Sequence, residues 1–144
     1  MAVAQLQINN VRNLKHLRLD NLQQVNLIFG PNGSGKTSIL EALHLLGMAR
    51  SFRGQRIRTV VSHGEAECTV FGKLNSAFPA TKATQLGVRR ALDGDLQIKV
   101  GGDPVRTVAE LVRHLPLQVI NADSFDLLTG PPSARRRYMD WGVF

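Results

Sequence analysis

Residues Gly30, Pro31, Asn32, Gly33, Ser34, Gly35, Lys36 and Thr37 spell a complete GxxxxGK[ST] segment, the spacing of a phosphate-binding loop. Glycines at 33 and 35 lack a Cβ, so the backbone can take angles closed to other residues and turn successive N–H groups inward around an anion. The amides and positive dipole end of a following helix aim the same way. Lys36 is placed to reach the β and γ phosphates as a point charge, and the Thr37 hydroxyl to enter the coordination shell of a Mg²⁺ ion beside them. A nucleoside triphosphate is the ligand this chemistry suits.

The flanking residues predict the elements that position the loop. Val25 to Phe29 is an apolar run that reads as a strand, and Ser38 to Leu46 has helical spacing, with Gly47 as a C-cap. Before them, Gln5 to Asn9 and Leu14 to Leu19 alternate as two short antiparallel strands joined at Asn9-Asn10. After the basic segment Arg50 to Arg58, the runs Cys68 to Leu74, Thr84 to Leu92 and Gln97 to Val100 read as strands, the last two forming a hairpin through Asp93-Gly94. Thr107 to His114 reads as a helix, Leu117 to Ile120 as a short strand, and Pro131-Pro132 opens a helix through Asp140.

Composition sets the frame. At 144 residues the chain is one domain or part of one, and it shows no internal repeat, low-complexity tract or linker. It contains neither an apolar stretch long enough to span a bilayer nor a basic-then-apolar leader, so the expectation is no membrane and a cytoplasmic setting. Cys68, the single cysteine, fits a reducing compartment and reads as a buried strand residue. The net charge of +7, mostly from arginine, suits either a polyanionic partner or a basic solvated face. His16, His44, His63 and His114 lack metal-ligand spacing, and the 6% aromatic content resembles no single-strand stacking surface.

Two strands before the loop and a block of hairpins after it argue against the largely parallel GTPase and small-molecule kinase folds. They favour an α/β P-loop NTPase of the ABC-ATPase type, with a mixed sheet, a large antiparallel component and flanking helices. The runs GPNGSGKTSILEALHLLG (Gly30 to Gly47), ARSFRG (Ala49 to Gly54) and LLTGPPSARRRYMDWGVF (Leu127 to Phe144) resemble the RecF family of bacterial DNA replication and repair proteins, relatives of the ABC-type heads of SMC proteins. The likeness runs from Gln5 to Phe144 and departs at Val11, where relatives tend to carry an aromatic residue before Arg12-Asn13.

The resemblance implies a protein more than twice this long, with a helical arm, an LSGGQ-type signature motif and an apolar strand ending in Asp-Glu. Residues 1–144 then correspond to the amino-terminal part of the head, lobe I plus the start of the arm domain, with the carboxy-terminal half absent and no catalytic residue in this piece. Leu117 to Asp123 is the nearest local match to the acidic strand, but Asn121 and Ala122 interrupt it and no second acid follows. Arg12, Arg50 and Arg53 resemble positions near the nucleotide in SMC-type heads, with solvated surface as the alternative. Gln118 matches either a γ-phosphate-sensing glutamine or a solvent-facing strand residue. Arg135, Arg136 and Arg137 lie at a helix start, where the dipole disfavours them, and suit a phosphate backbone or acids elsewhere. Trp141 and Phe144 read as core residues.

The function implied is an ATP- and Mg²⁺-dependent DNA-binding protein of replication, repair and the SOS response. It would bind single-stranded DNA and single/double-strand junctions at gaps, dimerise with ATP between two heads, and load recombinase together with RecR and RecO. The full-length protein would be a weak DNA-dependent ATPase and this piece inactive. An SMC-like chromosome-organising head is the other reading of the same residues.

Overall fold

A computed structural model of the chain describes residues 2–54, 56–75, 83–121, 124 and 126–141. Six strands form one sheet in the order β2-β1-β3-β4-β5-β6, in which every neighbouring pair is antiparallel: β1 (Ala2–Val11), β2 (Leu14–Leu19), β3 (Glu67–Asn75), β4 (Thr84–Ala91), β5 (Leu96–Val100) and β6 (Asp103–Val105). The helices are α1 (Lys36–Met48), α2 (Val108–His114), α3 (Asp126–Thr129) and α4 (Pro132–Trp141).

Period-two alternation explains the sheet. In β3 the residues Cys68, Val70, Gly72 and Leu74 are buried while their neighbours are more exposed, so one face packs inward. In α1 the buried positions are Ser38, Glu41, Ala42, Leu45, Leu46 and Gly47, a helical stripe that lies over β1, β3 and β4. Leu6, Ile8, Leu46, Leu74, Leu86 and Leu111 are fully enclosed between the two layers. Burying each such side chain contributes roughly 1.5–3 kcal/mol, which holds α1 against the sheet.

Several boundaries differ from the sequence expectation, each for a local reason. The β1–β2 turn lies at Arg12-Asn13, because Val11 pairs with Leu14 and Arg12 takes the left-handed backbone (φ 55), and not at Asn9-Asn10. Helix α1 ends with Ala49 in the left-handed conformation, its N–H donating to the Leu45 carbonyl. Gly47 is therefore no cap but a close-packing point inside the helix, where a Cβ would sit 2.7 Å from Leu117 Cδ1 and 3.0 Å from the Leu115 carbonyl. Leu117 to Ile120 is not a strand; Leu117 packs on α1 and Ile120 is exposed. Strand β6 follows a Gly101-Gly102 turn and carries Pro104 on the sheet edge, where a missing N–H leaves no inner ladder bond unmade.

Val25 to Phe29 departs most from expectation. It forms no strand, and Val25, Leu27 and Phe29 are 87%, 85% and 84% exposed. A strand needs a neighbour for its backbone groups, and among the described residues none pairs with this run.

Candidate nucleotide site

The phosphate loop lies at the amino end of α1, with Gly35 as N-cap residue in the left-handed conformation (φ 99). Two glycines carry the geometry. At Gly33 (φ 81) a Cβ would meet nothing within 4 Å, so its identity follows from the backbone angle alone. At Gly35 a Cβ would lie 2.7 Å from Leu14 Cδ2 and 3.2 Å from Asn13 Nδ2, so the loop can run this close to the β1–β2 turn only without a side chain.

Asn13 locks that approach. Its Nδ2 donates to the Gly33 carbonyl at 3.0 Å, and its Oδ1 accepts from Ser38 Oγ at 2.8 Å, tying the turn to both the loop and the first turn of α1. Lys36 Nζ donates to the carbonyls of Gly30 and Pro31 at 2.8 and 2.7 Å, closing the loop around its own ammonium.

Around these residues opens a cleft of about 650 Å³ lined by Asn32, Gly33, Gly35, Lys36 and Thr37 from the loop, with Arg12 and Arg53 beside them. Among the described residues no carboxylate lines it. Lys36, Arg12 and Arg53 make it a cationic cleft at the amino end of a helix, and such a donor set fits a chain of phosphates. Thr37 also lines the cleft, and its hydroxyl is a group that could join the shell of a magnesium ion, whose remaining ligands would ordinarily be phosphate oxygens and water. Among the described residues no cluster of His, Cys, Asp and Glu is placed to hold a metal by itself.

Of the positions singled out in the sequence, the structure gathers the loop, Arg12 and Arg53. Arg50 is exposed and lies outside the cleft lining, at a smaller cavity of about 210 Å³ shared with Arg90. Gln118 is exposed and away from the cleft, and lies on no strand. Arg135 donates to the carbonyls of Gly130 and Leu127 at 3.1 and 3.4 Å, where positive charge complements the end of α3, while Arg136 is exposed. The side chains of Arg137 and Trp141, and residues Asp123 and Phe144, lie outside the described set.

Three residues went unnoticed in the sequence: Asn13, Glu41 and Ser51. Glu41 is fully buried and receives Arg12 in a two-pronged pair, Nε to Oε2 and Nη2 to Oε1, both at 2.8 Å. Ser51 Oγ also donates to Oε1. Burial pushes the Glu41 carboxyl upward, but the hydrogen bonds from Arg12 and Ser51 and the charges of Arg12 and Arg53 outweigh it and hold it below its ordinary value. The hydrogen bond to Glu41 in turn raises Arg12. The signal was available: a carboxylate inside the buried stripe 38, 41, 42, 45, 46 must have a partner.

Residues 2–125 match the family described as RecF/RecN/SMC N terminal domain. The chain belongs to this family. It is 49% identical over 144 residues to the DNA replication and repair protein RecF of Azotobacter vinelandii, a match covering 100% of this chain and 39% of that relative. A solved structure described as the recombination mediator protein RecF-ATP in the RecFOR pathway superposes with a TM-score of 0.85 at 32% identity, covering 96% of this chain and 38% of that one. A structure from work on ATP-driven dimerization and DNA-stimulated activation of SMC ATPases superposes at 0.77 with 19% identity, covering 98% of this chain and 99% of that one, a likeness of fold. The chain thus spans about two-fifths of the length of its RecF relative, and the family fold is the P-loop ABC-ATPase head expected from the sequence. No helix among the described residues is long and apolar enough to cross a membrane.

Proposed function

We propose that this chain is the nucleotide-cradling part of an ATP-dependent DNA-binding protein of the RecF type. The observation that carries the reading is the phosphate loop at the start of α1, opening into a cleft that is cationic on the walls contributed by Lys36, Arg12 and Arg53. The 49% identity to a DNA replication and repair RecF, set against 19% to an SMC ATPase, favours RecF over a chromosome-organising head.

In this reading ATP lies with its phosphates in loop 30–37, with Lys36 on the β and γ phosphates and Thr37 toward Mg²⁺. Residues 1–144 form lobe I and the start of the arm domain. Acidic metal ligands, a water-orienting group and charge on the far side of the γ phosphate come from the rest of the protein and from a second head. ATP then favours a homodimer that clamps DNA, and weak hydrolysis releases it. The basic stretch Arg50 to Arg58, whose Arg50, Arg53, Arg56 and Arg58 are exposed, supports a polyanion as partner. Single-stranded DNA and gap junctions are the substrates, RecR and RecO the partners in recombinase loading and the SOS response, and the cytoplasm the setting.

The test uses the full-length protein and gapped DNA across a salt series. Binding should fall steeply with salt, vary little with base sequence, and strengthen with ATP in the parent but not in Lys36→Ala. A salt-insensitive or ATP-indifferent complex contradicts the proposal.

A further inference from the structure

Glu41 does not line the cleft, yet it bonds Arg12 directly and reaches the backbone of Arg53 through Ser51. It is fully buried on α1, one turn beyond Thr37 and on the same helical face. One carboxylate oxygen takes Arg12 Nε; the other takes both Arg12 Nη2 and Ser51 Oγ. Ser51 Oγ then accepts the backbone N–H of Arg53 at 3.0 Å. Arg12 is further fixed through its backbone, its N–H donating to the Val60 carbonyl at 2.7 Å and its carbonyl accepting from Ser62 Oγ at 2.7 Å. A single carboxylate therefore joins three separate pieces of chain: the β1–β2 turn, the helix that starts at the phosphate loop, and the segment that carries Arg53.

We infer that Glu41 is a positioning residue that holds Arg12 and Arg53 on the wall of the nucleotide cleft, so that affinity for a nucleoside triphosphate depends on a group that does not touch it. The inference rests on the nucleotide reading above. A purely structural ion pair is a poor use of a buried charge, because an apolar pair of similar volume is often as stable. Here the charge buys placement: Arg12 uses its Nε–Nη2 edge on Glu41 and, held there, still lines the cleft. Arg53 is exposed and its guanidinium makes no hydrogen bond among the described residues, while its backbone is tied through Ser51.

The experiment measures the affinity of the full-length protein for a fluorescent ATP analogue, alongside its thermal unfolding. Glu41→Gln keeps the volume but removes the charge and one acceptor, and should weaken binding roughly tenfold, the effect of one charge-assisted contact. In an Arg53→Ala background the same change should have a clearly smaller effect, because part of what Glu41 positions is gone. Ser51→Ala, which leaves the Arg12–Glu41 pair whole, should give a smaller loss in the same direction and keeps the test open if Glu41→Gln does not fold. Unchanged affinity in folded Glu41→Gln or Ser51→Ala, or full additivity with Arg53→Ala, overturns the inference. Lys36→Ala separates the two levels. If it loses binding while Glu41→Gln does not, the nucleotide site stands and only the positioning role falls; if Lys36→Ala binds like the parent, both fall.

Discussion

The α1–sheet core and the entry to the phosphate loop are built from the same kinds of residue and end in opposite states. Leu6, Ile8 and Leu46 are fully enclosed, whereas Val25, Leu27 and Phe29, equally apolar and only a few residues from the loop, are more than four-fifths exposed. The difference lies in partners. Each strand of the sheet has a neighbour, most through a hairpin and β1 with β3 across a long stretch of chain, but no described strand pairs with residues 25–29. An apolar run of strand-forming residues becomes a strand only where another strand satisfies its backbone groups.

The sharpest way to break this comparison is to truncate one residue on each side. Leu46→Ala should destabilise the 144-residue chain by about 2–5 kcal/mol, the usual effect of emptying a closed core site. Leu27→Ala should change it by no more than about 0.5 kcal/mol. Denaturant unfolding of both variants decides it, and equal losses would show that the loop entry is packed after all.

A smaller effect sharpens the same contrast through pH. His44, on α1, is held below its ordinary pKa chiefly by burial, and also by the charge of Arg50, against the Arg50 carbonyl that accepts its Nδ1–H at 2.6 Å and the charge of Glu41. The folded state thus binds a proton less readily than the unfolded chain, whose ordinary value is 6.5. Its contribution to stability is complete above that pH and is lost as pH falls through 6.5 toward the folded value. Stability measured at several pH values should decline across that window, and His44→Gln should flatten the slope. An unaltered slope would place the proton-linked loss elsewhere. Cys68, by contrast, is pushed up to about 11 by burial, so its thiol stays protonated across the same range.

These differences also explain what could be read from the residues alone. Strands β3, β4 and β5 were legible because alternation and the Asp93-Gly94 turn are local signals. β6 was not, being three residues with a proline, although Gly101-Gly102 marks its turn. The loop that leads into α1 was legible because its signal is written in eight consecutive residues. The ring of support around it was not, since Asn13 meets Ser38 across 25 positions and Arg12 meets Glu41 across 29. The placement of Gly47 turned on a neighbour, Leu117, that periodicity cannot supply.

If the loop at the start of α1 holds the phosphates of ATP, titration of the full-length protein with a labelled ATP analogue will depend on Lys36. Hydrogen bonds to charged groups contribute about 1.5–3 kcal/mol each, so Lys36→Ala should weaken binding by roughly ten- to a hundredfold or more. Equal affinity in the variant and the parent would remove Lys36, and with it the loop, from the site.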